Sequence, residues 1–205
     1  MLTTRGFRGN RRPAGELAGR VPPGQHPTDD FPVLTAGPTP RTPVADWSLS
    51  LSQGGEAMAT WTWEQFGALP QTEITRDIHC VTKWTKLDTL WRGVTFDDLL
   101  VAAGIETTPT MFVMAHSDGD YTTNLPVADL IGGKAMVATH YEGKPIEAAH
   151  GGPARLLVPH LYFWKSAKWV RGLEFIEADA PGFWEQLGYH IYGDPWREQR
   201  YTGDP

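Results

Sequence analysis

The chain has little cysteine, with one residue, Cys80, among 205. A single cysteine cannot form an internal disulfide, so the chain fits a reducing compartment. Long apolar runs are also absent, since no stretch approaches the roughly 20 apolar residues that a membrane-spanning helix needs. The pair Arg11-Arg12 lacks the apolar run that would make it an export signal. We expect a cytoplasmic protein without a transmembrane segment.

Several catalytic motifs are missing as well. The sequence contains no P-loop, no G-x-G-x-x-G fingerprint and no G-x-S-x-G elbow, so NTPase, Rossmann and serine hydrolase functions have no support. No two of the seven histidines are four residues apart, as they would be in a helical zinc site. The net charge of -6 argues against nucleic acid as a partner, because phosphate neutralisation needs clustered Lys and Arg.

The composition is that of one folded domain with an N-terminal extension. Hydrophobic residues make up 40% of the chain and charged residues 20%, and the length suffices for one substantial core. Residues 1–43 are dense in Gly, Pro and Arg without periodicity. They are predicted to form an irregular arm that drapes over the domain or is partly disordered. Residues 44–205 are predicted to form the single domain.

Local patterns predict more strands than helices in this domain. Thr62 and Gln65 form a capping-box pattern for a short helix, and Thr95 begins an amphipathic helix that stops at Gly104. Alternating or compact apolar runs predict strands at residues 47–52, 74–81, 111–115, 135–141 and 155–158. The predicted fold class is therefore mixed α+β with a predominantly β core.

Cys80 is a candidate metal ligand because it lies near the end of a predicted strand, before a polar loop. His79, Lys83 and Lys86 lie close to it in sequence. Their charges would lower the pKa of the thiol and favour the thiolate, which is the form that binds soft metals. A buried and inert thiol is the alternative interpretation.

Two later segments suit an anionic ligand. In HGGPAR at residues 150–155, the glycines let backbone N–H groups approach a ligand, and Arg155 offers a guanidinium that can bind two oxygens. In KSAKW at residues 165–169, Lys165 and Lys168 flank Ser166, and two ammonium groups could hold phosphate or a polar heterocycle. An ordinary turn is the alternative interpretation of each segment.

Three segments taken together resemble the sulfite oxidase-type molybdopterin-binding family. They are DIHCVTKW at residues 77–84, HGGPAR at 150–155 and KSAKW at 165–169. The resemblance covers about residues 31–201 and is closest to short sulfite oxidase-like oxidoreductases that consist of the molybdenum domain alone. It implies a single sulfite oxidase-type domain that binds molybdenum through molybdopterin.

The resemblance also implies roles for individual residues. Cys80 matches the thiolate ligand of molybdenum, and Tyr189 matches a tyrosine near the metal centre in the family. The implied contacts with the cofactor come from His150, Arg155, Ser166, Ala167 and Lys168, and from Ser117 by a weaker match. Lys165 joins this set through the ammonium argument above.

The implied activity is a two-electron oxygen-atom transfer to or from a small substrate such as a sulfoxide, an N-oxide or sulfite. A separate partner would supply or accept the electrons. Relatives that oxidise sulfite carry an arginine where this chain has Asp29 and Asp30, which would repel a dianion if they lined the site. The alternatives are a molybdopterin-binding module without turnover, or a metal-free thiol redox protein that uses Cys80.

Overall fold

The computed structural model describes residues 15–108 and 110–205. The Arg11-Arg12 pair and the first part of the predicted arm lie outside the described residues. The three α-helices of the described part are α1 (Trp63–Gly67), α2 (Phe96–Ala103) and α3 (Phe183–Gln186). Its strands are β1 (His26–Pro27), β2 (Ser48–Gln53), β3 (Glu56–Thr62), β4 (Thr72–His79), β5 (Trp84–Thr95), β6 (Phe112–Ser117), β7 (Thr122–Pro126), β8 (Met136–Tyr141), β9 (Lys144–Pro145), β10 (Arg155–Leu157) and β11 (Val170–Ile176).

The strands form two mixed sheets. One has the order β1-β5-β8-β10, with β4 also paired to β5 and β9 to β8, and the other has the order β3-β2-β11-β6-β7. The pairs β1/β5 and β11/β2 are parallel and the remaining pairs are antiparallel. The predicted mixed, predominantly β fold is confirmed. No helix in residues 15–108 and 110–205 is long and apolar enough to cross a membrane.

The capping signals in the sequence are confirmed where the structure describes them. The Thr62 side chain accepts a hydrogen bond from the Gln65 backbone while the Gln65 side chain bonds back to Thr62, which starts α1. The Thr95 side chain caps α2 by accepting a hydrogen bond from the Asp98 backbone N–H. That helix ends at Gly104 with a left-handed φ of 65°, a conformation that favours glycine.

The sequence patterns do not predict β3, β5, β7 or β11. The central strand β5 shows why, because its pairing with β8 shifts register between Arg92 and Gly93. Such a bulge breaks the alternation of inward and outward side chains on which the prediction depends. A side chain at Gly93 would also collide with the backbone of Val137, so this residue lets the two central strands approach closely.

The buried side chains form two clusters, and the smaller one lies under the site. The larger cluster packs β2, β6 and β11 against α2. The smaller cluster has Trp84 and Trp91 of β5, Leu157 of β10 and Phe163 packed around Cys80. Cys80 is therefore held by the hydrophobic core of the first sheet.

The described part of the predicted arm packs against the first sheet. His26–Pro27 pairs with the start of β5, and Arg20 binds the carboxylates of Asp77 and Asp88. Phe31 packs against the smaller cluster. These contacts bring residues 31–36 to the cavity described below.

Candidate functional site

A cavity of about 310 Å³ opens between residues 31–36, the loop after β4 and the segments before and after β11. Six of the nine predicted site residues line it, namely Cys80, His150, Arg155, Ser166, Lys168 and Tyr189. Most of the remaining wall is aromatic and consists of Phe31, Trp84, Tyr121, Phe163, Trp164, Trp169 and Trp184. The cavity thus combines one thiol and two cations with an apolar lining, as is typical of ligand pockets.

A tight turn after β4 presents Cys80 to the cavity. The Cys80 N–H donates to the Trp84 carbonyl (2.9 Å), and the Lys83 N–H donates to the Cys80 carbonyl (3.0 Å). Lys83 has a left-handed φ of 77° within this turn. The Thr82 hydroxyl donates to Cys80 Sγ at 3.1 Å.

The electrostatics of Cys80 differ from the expectation drawn from its sequence neighbours. Burial raises the pKa of the thiol, and the hydrogen bond from Thr82 and the charge of Lys168 offset this only in part. His79 contributes no positive charge near neutral pH, because burial lowers its own pKa to about 4. The expected activation of the thiolate by neighbouring charges is therefore wrong for the cavity as it stands.

Arg155 is a buried cation with no carboxylate partner among the described residues. It is 1% exposed, and its guanidinium donates to the carbonyls of His150 and Ser166, both at 2.7 Å. Its Nε has no hydrogen-bond partner, and no carboxylate in the described part of the chain forms an ion pair with it. Burial lowers its pKa to about 9. A buried charge of this kind is costly unless a ligand of opposite charge offsets it.

Lys168 and His150 extend this basic wall. The Lys168 ammonium donates to the carbonyls of Leu34 and Ala149, both at 2.8 Å. Burial and the charge of Arg155 lower the pKa of Lys168 to about 8. Burial and the charges of Arg155 and Lys168 lower the pKa of His150. The His150 ring stacks on Phe31 with centroids 4.0 Å apart. The wall therefore presents two cations and one neutral imidazole near pH 7.

Ser166 supports this wall through its backbone and hydroxyl. Its hydroxyl oxygen accepts a hydrogen bond from the Val158 N–H at 2.9 Å, while its carbonyl holds the Arg155 guanidinium. The serine thereby fixes the orientation of the arginine inside the cavity.

Tyr189 lies in the aromatic part of the lining. Its ring is 5.1 Å from that of Trp164 and 5.0 Å from that of Trp184. Burial raises the pKa of its phenol, so the hydroxyl is protonated and can donate a hydrogen bond near neutral pH.

Lys165, Ser117 and Ala167 do not line the cavity. The Lys165 ammonium lies 2.7 Å from Glu185, with both side chains 1% exposed, and it also donates to Asn124 and Ile191. The Ala167 carbonyl accepts the Leu156 N–H, and the Ser117 hydroxyl is buried without a hydrogen-bond partner. Their predicted contacts with a cofactor gain no support from this arrangement.

Sequence reasoning missed the contribution of the arm to the cavity. Phe31, Pro32, Leu34, Thr35 and Ala36 line it, whereas Asp29 and Asp30 do not. These two carboxylates are therefore not placed to repel a dianion from the cavity lining, contrary to the expectation from the sequence. An apolar Phe-Pro pair in a Gly- and Pro-rich segment is the signal that could have pointed to this packing.

Comparisons with known proteins show which family the chain belongs to. The model of the oxidoreductase molybdopterin binding domain matches residues 36–184. The uncharacterized oxidoreductase YuiH of Bacillus subtilis is 42% identical over 190 residues, which are 92% of this chain and 96% of YuiH. The putative protein-methionine-sulfoxide reductase subunit YedZ1 of Azospira oryzae is 29% identical over 134 residues, 65% of this chain and 50% of that protein.

A solved structure shares the fold at low sequence identity. The sulfane dehydrogenase SoxCD from Paracoccus pantotrophus superposes with a TM-score of 0.58 and 21% identity, over 68% of this chain and 40% of that one. Together, the match to the family model and the likeness to YuiH over nearly the whole length of both chains show that this protein belongs to the family of oxidoreductases with a sulfite oxidase-type molybdopterin-binding domain.

Proposed function

We propose that this protein is a molybdenum-molybdopterin-dependent oxidoreductase whose cofactor binds in the cavity, with Cys80 as the protein ligand of the metal. The observation that carries the proposal is the uncompensated guanidinium of Arg155, which lines the same cavity as the single thiol. A phosphorylated pterin would supply the missing negative charge, and a soft metal would accept the thiolate.

The donors of the cavity fit this group. Arg155 Nε and Trp84 Nε1 are buried and have no hydrogen-bond partner in the part of the chain that the structure describes, so they can donate to a ligand that brings acceptors. No group of three or more His, Cys, Asp or Glu side chains in residues 15–108 and 110–205 could hold a metal ion. A metal bound to Cys80 would therefore take its other ligands from the cofactor, as a dithiolene can provide.

Different residues would bind the cofactor and contact the substrate. Arg155, Lys168 and His150 would bind the phosphate and pterin, with Ser166 orienting the arginine. The bound group would supply two-electron oxygen-atom transfer. Tyr189 would donate a hydrogen bond from its protonated phenol to the substrate, and the indoles of Trp164 and Trp184 would keep bulk water from the site.

The proposed substrate is a small oxygen donor or acceptor such as a sulfoxide, an N-oxide or sulfite, with electrons exchanged with a separate partner. The name of YedZ1, a reductase subunit for protein methionine sulfoxide, supports a reaction at a sulfoxide and a division of labour between subunits. We propose a cytoplasmic location because a single cysteine suits a reducing compartment.

The test compares the wild-type protein with Cys80→Ala, both expressed in a host that makes molybdopterin. We expect near-stoichiometric molybdenum in the wild type by metal mass spectrometry. The variant should lose most of the metal and keep pterin, measured by fluorescence after oxidation, because the anion-binding residues are unchanged. The ligand assignment fails if Cys80→Ala retains full molybdenum, and the whole proposal fails if the wild type contains none. Reduction of the bound molybdenum by a redox dye distinguishes the two alternatives. An enzyme should show this reduction, and a binding module without turnover should not.

A further inference from the structure

The turn that carries Cys80 also aims a hydroxyl group at its sulfur. Thr82 Oγ1 lies 3.1 Å from Sγ and donates to it, and the backbone N–H groups of Val81 and Thr82 also act on this sulfur. The turn is fixed by the two backbone hydrogen bonds from Cys80 to Trp84 and from Lys83 to Cys80. The position of the Thr82 hydroxyl is therefore built into the backbone.

The neighbouring side chains do not compete for the sulfur. The His79 ring bonds through Nδ1 to the Thr85 hydroxyl at 3.0 Å. Cys80 itself is only 7% exposed, so few water molecules can reach Sγ. The Thr82 hydroxyl is the side-chain donor at that atom, and the backbone N–H groups of Thr82 and Val81 and the charge of Lys168 contribute less than it does.

We propose that Thr82 tunes how strongly the Cys80 sulfur donates electrons to the molybdenum, and thereby sets the reduction potential of the centre. This inference rests on the proposed function. A hydrogen bond to a ligating thiolate withdraws charge from the sulfur, which weakens its donation and stabilises the reduced metal. Thr82 would act as a positioning residue through Cys80, without contact with the metal.

A purely structural role in the turn makes different predictions, and Thr82→Val separates the two. Valine keeps the branched shape of threonine and removes the hydroxyl, so it deletes the donor while the turn can still form. Tuning predicts a shifted potential at unchanged metal content. A structural role predicts loss of metal or of stability without such a shift.

The experiment is a redox titration of the full-length, molybdenum-loaded wild type, Thr82→Val and Thr82→Ser, followed through the Mo(V) signal in electron paramagnetic resonance. We expect Thr82→Val to bind as much molybdenum as the wild type and to shift to a lower midpoint potential, with altered g-values from the more strongly donating sulfur. Thr82→Ser, which keeps the hydroxyl, should restore both properties.

Each remaining outcome overturns the inference. Equal potentials in loaded wild type and Thr82→Val would show that the hydrogen bond has no effect on the metal. Loss of molybdenum from Thr82→Val would assign the residue to the structure of the turn. These two results leave the proposed function intact, whereas a wild type without molybdenum would overturn both.

Discussion

Replacing Arg155 with methionine removes a buried guanidinium that has no carboxylate partner among the described residues. Its pKa falls from an ordinary value above 12 to about 9 on burial. Since one pKa unit corresponds to about 1.4 kcal/mol, burial disfavours the charged form by roughly 4 to 5 kcal/mol. In the absence of a cofactor, this cost is relieved when the charge is deleted.

The same substitution also removes favourable contacts. Two hydrogen bonds from the guanidinium to backbone carbonyls are lost, each worth about 1.5 to 3 kcal/mol. The cation lies 4.1 Å from the Phe163 ring centroid, a contact worth roughly 0.5 to 2 kcal/mol. The losses amount to about 4 to 8 kcal/mol against a gain of about 4 to 5 kcal/mol, so from the middle of these ranges we expect Arg155→Met to lower the free energy of unfolding of the cofactor-free protein by about 1 to 2 kcal/mol.

The effect on the loaded protein should be much larger. Removing one partner of a buried, hydrogen-bonded charge pair typically costs 2 to 5 kcal/mol. Cofactor affinity should then fall by about 30-fold to a few thousand-fold. The ligand-dependent gain in stability should disappear with it.

Lys165→Met is the matched control, since it deletes a second buried cation that has a carboxylate partner and lies outside the cavity. Its removal leaves the Glu185 charge buried, which should destabilise cofactor-free and loaded protein alike by about 3 to 5 kcal/mol. Cofactor affinity should stay unchanged. The double variant Lys165→Met/Glu185→Leu should recover part of the lost stability, because it also removes the Glu185 charge that the single variant leaves unpaired.

Urea unfolding followed by tryptophan fluorescence, together with pterin content, measures both variants with and without cofactor. Arg155 does not bind the cofactor if Arg155→Met destabilises the cofactor-free protein as much as Lys165→Met does and still retains pterin. Loss of cofactor from Lys165→Met would return Lys165 to the binding role predicted from the sequence.

Two further predictions concern the same wall of the cavity. The pKa of Lys168 is about 8 in the folded protein and near 10.4 when unfolded, so the unfolded chain binds more protons between these values. The stability of the cofactor-free protein should therefore rise with pH in that window. The urea midpoints of Lys168→Met should lack this rise. If the midpoints of wild type and Lys168→Met change with pH in parallel, Lys168 is not the group that titrates. Gly151→Ala should cost about 1 to 3 kcal/mol and lower pterin retention, because φ is +105° and the new Cβ would lie 2.9 Å from Lys168 Cα. An unchanged free energy of unfolding and an unchanged pterin content in Gly151→Ala would contradict this prediction.

Features that depend on neighbours in sequence could be predicted, and those that depend on distant pairing could not. The caps at Thr62 and Thr95 are hydrogen bonds within one turn of chain, so the local sequence alone predicts them. The strand β5 depends on three partner strands and contains a bulge, and its sequence shows no simple alternation. The strand β5 forms because it pairs with strands that are distant in sequence, and local sequence patterns do not show that pairing.

The site shows the same division. The resemblance of three short segments predicted five residues that line one cavity, and the separate match at Tyr189 predicted a sixth. The resemblance could not predict that Lys168 lines the cavity while Lys165 does not. The reason is that Lys165 pairs with Glu185 on α3, which lies outside the three segments. The raised pKa of Cys80 could not be predicted either, since its burial in the smaller hydrophobic cluster outweighs the charges nearby in sequence.

The environment of Cys80 also bears on the two alternatives to metal catalysis. A thiol redox protein needs an exposed thiolate, yet this thiol is 7% exposed and burial raises its pKa. A metal ligand needs to lose its proton only once, on loading, when the bond to the metal supplies the free energy. The core that suppresses thiol chemistry would then shield a metal–sulfur bond from water. A module without turnover would share that shielding, but it has no need of a protonated phenol at Tyr189 beside the same cavity, and this favours the enzyme.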